Sequence, residues 1–240
     1  DKNEKLAIND FAFSIAPLIN ATVRFGNDKE RNIVFRSLFS EELVLSKKRG
    51  MVGKQVPIAV EAFRIAGNLK RKQDKARDKG VEVLSETIED LGFEENKVVT
   101  LIVDDILEPS ISGLVANKLV NKYNRPIMLL RTVDDCTLSG SVRTVNDNND
   151  LKKFKSICLS TGLFEFCSGH EGSFGVGLYS HNLQHLGNKF NEILKDVEFN
   201  TSYELDGIYD GKIPFSDIKD IANLKDLWCF DIKEPLFLVR

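Results

Sequence analysis

Histidine and cysteine, on which most metal and thiol chemistry rests, are scarce in this chain. Its 240 residues include three histidines, His170, His181 and His185, and four cysteines, Cys136, Cys158, Cys167 and Cys229. There is no D-x-D, H-x-x-x-D or H-E-x-x-H constellation, so the sequence offers no metal cage. The adjacent Asp104 and Asp105 have no histidine near them in sequence and read as a strand terminus. No C-x-x-C pair is present, which argues against a zinc ribbon or disulfide frame and for reduced thiols in a cytoplasmic setting. A G-x-x-x-x-G-K loop, a dinucleotide fingerprint and a nucleophile elbow are all missing, so the chain by itself has no evident catalytic machinery. No apolar run approaches the roughly 18 residues of a membrane helix, and Asp1-Lys2-Asn3-Glu4 is no signal peptide. Positive charge is not in excess either. Lys and Arg number 33 against 36 Asp and Glu, a net charge of -3, so any surface for a polyanion must be local. The chain lacks an initiator Met and ends in the apolar run Leu236-Phe237-Leu238-Val239 before Arg240, as expected of a piece of something longer.

What is present divides by rhythm. An apolar stretch over 6–15 leads into Ala16-Pro17-Leu18-Ile19-Asn20-Ala21-Thr22-Val23-Arg24-Phe25-Gly26, where Pro, Asn and Gly around one Arg predict an ordered loop. Arg24 is there either a ligand-facing cation or plain surface. Ile33, Val34, Leu38 and Phe39 predict a helix over about 28–39. Lys47-Lys48-Arg49-Gly50-Met51-Val52-Gly53-Lys54 then reads as a basic loop, able to follow a phosphate backbone or simply solvated. From Pro57 to Leu91 apolar residues recur at helical spacing while 70–79 is almost wholly charged. That predicts a helix roughly 50 Å long whose middle, including Lys70-Arg71-Lys72, crosses solvent between two packed regions. A domain boundary near 75–92 follows.

Beyond residue 97 the pattern is strand, helix, strand: Val98–Val103, Ile111–Tyr123 and Pro126–Leu130, the unit of a parallel pair. Further strands are expected at 138–144, 163–166, 176–180 and 202–209, and helices at about 149–158 and 182–196, the latter capped by Asn182.

Two glycine-anchored clusters fall in this second half. In Gly140-Ser141-Val142-Arg143-Thr144, strand alternation puts Ser141 and Arg143 on one face, where a guanidinium beside a hydroxyl makes a phosphate clasp. In Ser168-Gly169-His170-Glu171-Gly172-Ser173-Phe174-Gly175-Val176-Gly177, Gly169 and Gly172 let the backbone turn. A helix starting near His170 would aim its free N–H groups at an anion. His170 either donates to a phosphoryl oxygen or satisfies a buried carbonyl.

Together these elements resemble the RecJ-like branch of the DHH phosphoesterases, in the part that follows the metal-binding domain. The DHH-associated domain of that family carries G-S-x-R-S and then G-G-H-x-x-A-A-G, and the two clusters stand in the same order. Ile15-Ala16-Pro17-Leu18-Ile19-Asn20-Ala21-Thr22-Val23-Arg24-Phe25-Gly26 is similar to the element I-A-P-R-I-N-A-x-G-R-L-G that closes the DHH domain. Ser112-Gly113-Leu114-Val115-Ala116 and Tyr123-Asn124-Arg125-Pro126 are similar to the family's I-G-I-V-A and Y-x-R-P stretches. Departures are Ser168 for a Gly, Ser173-Phe174 for an Ala pair, Leu18 for an Arg and Val23 for a Gly.

The resemblance implies an α/β fold in which a long connecting helix leads into a compact mixed α/β DHH-associated domain. Residues 1–56 would end the DHH domain, 57–92 form the helix, and 93–240 hold substrate. It also implies hydrolysis of single-stranded DNA from the 5′ end, with Mn2+ or Mg2+ bound by Asp and His residues that lie upstream of Asp1. This chain alone would then be inactive. Arg24, Ser141, Arg143, Gly169, His170 and Gly172 become phosphate-binding candidates, with Lys47, Lys48 and Arg49 for more distal DNA. Single-stranded DNA is the implied partner, alongside replication or repair proteins. Two alternatives stand: a DHH phosphodiesterase for short oligonucleotides or cyclic dinucleotides, and a non-catalytic nucleic-acid-binding scaffold.

Overall fold

The computed structural model describes residues 10–145, 148–199, 205–228 and 234–240. Residues 6–9 of the first apolar stretch, 202–204 of the expected last strand, and Cys229 lie outside them. By compactness the chain divides into Asp1–Lys70 with Thr201–Arg240, and Arg71–Asn200.

In the first unit, the expected loop at 16–26 is instead a helix, α1 (Ala16–Phe25), followed by α2 (Asp28–Arg36). The turn-forming residues bracket α1 rather than breaking it. Pro17 sits in the first turn, where no N–H is needed, and Gly26 ends the helix with its amide donating to the Thr22 carbonyl at 2.9 Å. Asn27 and Glu30 then form a reciprocal capping box on α2, each side chain accepting from the other's amide at 3.0 Å. α2 stops at Arg36, so Leu38 and Phe39 fall beyond it and are exposed. Val34 packs with Ala62, Ile65, Ala66 and Leu69. Strands β1 (Leu43–Leu45) and β2 (Gln55–Pro57) pair antiparallel around the basic loop.

Helix α3 runs from Ile58 to Asp90. Its charged middle is less solvated than its composition predicts: Gln73 is only 4% exposed, and Arg77 pairs with Asp74 and Asp78, each at 2.7 Å.

The second unit is built on one sheet. Its strands are β3 (Val99–Ile102), β4 (Ile127–Thr132), β5 (Thr137–Arg143), β6 (Phe164–His170) and β7 (Ser173–Tyr179), in the order β3-β4-β5-β7-β6. β3 and β4 are parallel, joined as expected through helix α4 (Ser112–Tyr123), and every other pairing is antiparallel. Alternation in β5 and β7 sends Leu138, Val142, Phe174, Val176 and Leu178 to one face. There they meet Phe154 and Cys158 of α5 (Phe154–Ser160) and Leu186 and Phe190 of α6 (Leu183–Ile193). The Phe154 ring lies 5.8 Å from that of Phe190 and 6.2 Å from that of Phe174. α4 packs on the opposite face, over β4 and β5. The end of α3 is held to α4 by Tyr123, whose hydroxyl donates to Glu89 at 2.9 Å, and by the Lys122–Glu89 ion pair at 2.8 Å.

Asn182 does not cap α6. Its backbone is already helical and its amide donates instead to the Leu163 carbonyl at 2.9 Å, tying α6 to the start of β6. Asp104 is likewise structural, accepting from the Thr132 amide at 2.8 Å and hydroxyl at 2.6 Å, bonds that hold its carboxyl below the usual range. Back in the first unit, β8 (Gly207–Tyr209) and β9 (Phe237–Val239) pair parallel, with α7 (Phe215–Asn223) between them in sequence.

Phe154 is fully buried where α5, α6 and β7 meet. Phe154→Ala is expected to cost about 3–5 kcal/mol in denaturant unfolding, and a loss below about 1 kcal/mol would show that this junction is not the core.

Candidate nucleic-acid interface

The two glycine clusters meet on adjacent strands. The first is the second half of β5, and the second is not a loop opening a helix but the β6–β7 hairpin itself, turning at Glu171-Gly172. The helix-terminus anion site expected at His170 is therefore absent, because the glycines serve strand pairing. Gly169 has φ +132, which L side chains rarely adopt, and a Cβ there would lie 2.8 Å from the Ser173 carbonyl oxygen. Gly172 accepts from the Thr144 amide at 3.1 Å, carrying the β5–β7 ladder one step past Arg143.

A helix terminus does lie beside the hairpin, and the hairpin's own carboxylate occupies it. Glu171 accepts from the Ser156 amide at 3.3 Å in the first turn of α5, while Lys155 donates to the Gly169 carbonyl at 2.8 Å. Under the hairpin, burial pushes the Cys158 thiol up strongly and the Cys167 thiol to about 11. No disulfide joins the described cysteines; Cys158 is buried, whereas Cys136 is exposed.

Register fixes the outer face, the one turned from the Phe154 core. Ile127, Arg143, Ser173 and His170 form one cross-strand row, and Leu129, Ser141, Gly175 and Ser168 form the next. A third row is Arg131, Ser139, Gly177 and Phe166. Directly paired residues share a face, so Ser141 and Arg143 share the outer face as strand alternation predicts, and His170 joins them there through Ser173. His170 is exposed on the edge strand. Arg143 is half-buried, donates to the Val142 carbonyl at 2.7 Å, and lays its guanidinium where any side chain on Gly113 would collide with it. A hollow of about 320 Å³ opens on this face, lined by Ser112, Arg131, Ser139, Ser141, Phe166 and Gly175 among others.

Arg131, Ser112 and Ser139 were not legible as site residues. Arg131 binds the Leu107 carbonyl and lies 3.3 Å from Ser112 Oγ. Its one signal is a cation at the end of the apolar run Ile127-Met128-Leu129-Leu130. The remaining candidates belong to the other unit. Arg24 is exposed in the last turn of α1, and Lys47, Lys48 and Arg49 are exposed in the β1–β2 loop. That loop is folded by its own bonds, Met51 N–H to Lys48 at 2.9 Å and Gly53 N–H to Ser46 at 3.0 Å. Among the described residues, no group of three or more His, Cys, Asp or Glu could hold a metal ion, and no helix is long and apolar enough to cross a membrane.

A strand–helix–strand parallel pair extended by an antiparallel glycine hairpin, reached through a 33-residue helix, is a RecJ-like arrangement. RecJ from Thermus thermophilus, solved with Mn2+, superposes with a TM-score of 0.64 at 19% identity over 96% of this chain and 31% of its own. Exonuclease RecJ bound to manganese gives 0.51 over 79% of this chain and 42% of its own. Sequence narrows the likeness further. "Putative SPbeta prophage-derived single-strand DNA-specific exonuclease YorK" of Bacillus subtilis is 34% identical over 97% of this chain and 42% of its own length. Single-stranded-DNA-specific exonuclease RecJ of the same organism is 22% identical over 92% of this chain and 25% of its own. The chain is thus RecJ-like in sequence and fold, and spans less than half the length of these relatives. No family model matches it.

Gly169 and His170 separate shape from contact. Gly169→Ala is expected to cost about 1–3 kcal/mol of stability through its left-handed backbone. His170→Ala should leave thermal unfolding unchanged; a matching loss there would show that His170 is structural.

Proposed function

We propose that this chain is the nucleic-acid-gripping portion of a RecJ-like 5′–3′ single-strand-DNA exonuclease. The observation that carries the reading is that Ser141 and Arg143 of β5 share the outer face with His170 of β6, Arg143 and His170 in one cross-strand row. Its relatives are named single-strand-DNA-specific exonucleases. In this reading Arg143 supplies a fixed positive charge and N–H donors to a phosphate, Ser141 a hydroxyl donor beside it, and His170 a further contact at the strand edge. Gly169 and Gly172 shape the hairpin that presents them. Arg24, Lys47, Lys48 and Arg49 give additional backbone contacts, which makes binding salt-sensitive. Residues 1–56 close the DHH domain, 57–92 connect, and 93–240 hold substrate.

Solved RecJ structures contain Mn2+ or Mg2+. Among the described residues no cluster fits such an ion; in this reading its ligands lie upstream of this chain, and hydrolysis is assigned to none of the chain's residues. The same finding supports a second reading, a single-strand-binding module without chemistry of its own. DNA repair and recombination are the processes a single-strand exonuclease would serve, in the cytoplasm.

Binding separates these readings from a purely structural role for the rows. In fluorescence anisotropy with a 5′-phosphorylated oligothymidylate, Arg143→Ala is expected to weaken binding by roughly tenfold, the size of one lost charge-assisted contact, with little change in thermal unfolding. Unchanged affinity would overturn the phosphate role. In a nuclease assay with added Mn2+ the chain should digest nothing, and metal-dependent digestion would show that its ligands lie within the 240 residues.

A further inference from the structure

The aromatic beside this clasp is placed by a fault in strand register. Phe164 pairs with Leu178 and packs into the inner core, its ring 6.3 Å from that of Phe190. Strict alternation would send Phe166, two residues on, to the same inner face. The register shifts between Phe164 and Phe166, so that Glu165 is the extra residue of a β-bulge and Phe166 pairs with Gly177 instead. That single insertion turns Phe166 outward. Glu165 is itself held, accepting a hydrogen bond from the Tyr179 hydroxyl of the neighbouring strand, which pushes that phenol up.

On the outer face the Phe166 ring lies against Gly177, where any side chain would collide with it. The ring stays 50% exposed, beside Arg131 and Ser141 in the same hollow. An apolar ring left half in water costs free energy, and an outward-turning bulge is a feature that re-aims a side chain next to a site. The neighbours say what kind of ligand suits it: a flat π surface one strand row from Ser141 and two from Arg143 matches a nucleotide, with its base beside its phosphate.

We infer that Phe166 is a stacking platform for one nucleobase, set by the Glu165 bulge next to the Ser141–Arg143 phosphate clasp. The inference rests on the phosphate reading of that clasp and adds a base subsite to it. Stacking tolerates any base, because each has a π face, so the subsite selects unpaired nucleotides over duplex without reading sequence.

The test uses the whole 240-residue chain and two probes, a 5′-phosphorylated oligothymidylate and the same backbone made wholly abasic. Phe166→Ala is expected to weaken binding of the oligothymidylate about tenfold, the size of one lost base stack, and to leave abasic binding unchanged. Phe166→Leu, which keeps apolar bulk but not the π face, should be as weak as Phe166→Ala, and Phe166→Trp should bind at least as tightly as the parent. Equal effects on both probes, no effect on either, or full binding by Phe166→Leu would each overturn the platform. Arg143→Ala on the abasic probe keeps the two claims apart. If it weakens abasic binding while Phe166→Ala spares the oligothymidylate, the clasp stands and the platform falls; if it changes nothing, the clasp itself falls.

Discussion

The site depends on one register, that of the antiparallel strands β5, β7 and β6. The pairing that puts Val142 opposite Phe174 in the core also puts Arg143 opposite Ser173, and Ser173 opposite His170, on the other side. A slip by one residue would exchange the faces, burying an arginine and exposing Val142 and Phe174. Core and candidate site are therefore selected together. The hairpin end is pinned by contacts that cannot shift independently: the left-handed Gly169, the Lys155 bond to its carbonyl, and Glu171 on the first turn of α5.

Much of this was legible because strand alternation and helical spacing are strong signals. The parallel β3–β4 pair, the long α3 and the shared face of Ser141 and Arg143 all follow from period alone. Glycine and proline were the ambiguous letters. The same glycines around His170 permit a turn into a helix or a tight hairpin, and only the ladder to β5 decides between them. Pro17 and Gly26 mark a helix's two ends as readily as a loop's, so Arg24 falls in the last turn of a helix and not on the expected loop. Asn182 carries a good cap residue's chemistry but spends its amide on Leu163, a partner 19 residues away that no local rule finds.

The bulge at Glu165 was the hardest to foresee. Phe164-Glu165-Phe166 alternates as a strand with both rings inward, and the departure depends on how β6 pairs with β7. Gln73 poses the opposite case, a polar side chain in a charged run that is nonetheless buried. Neither residue declares its environment by type.

In the proposed reading, a chain of net charge -3 grips a polyanion with placed rather than pooled charge. The rows of the outer face supply that placement, with Arg143 in the first row, Arg131 in the third, and the row of Ser141, Gly175 and Ser168 between them. A structure of this chain with a short 5′-phosphorylated oligothymidylate tests the claim most directly. A backbone phosphate within hydrogen-bond distance of Ser141 Oγ and the Arg143 guanidinium is the expected result. DNA seated away from the β5–β7–β6 face, with that face in water, would contradict it.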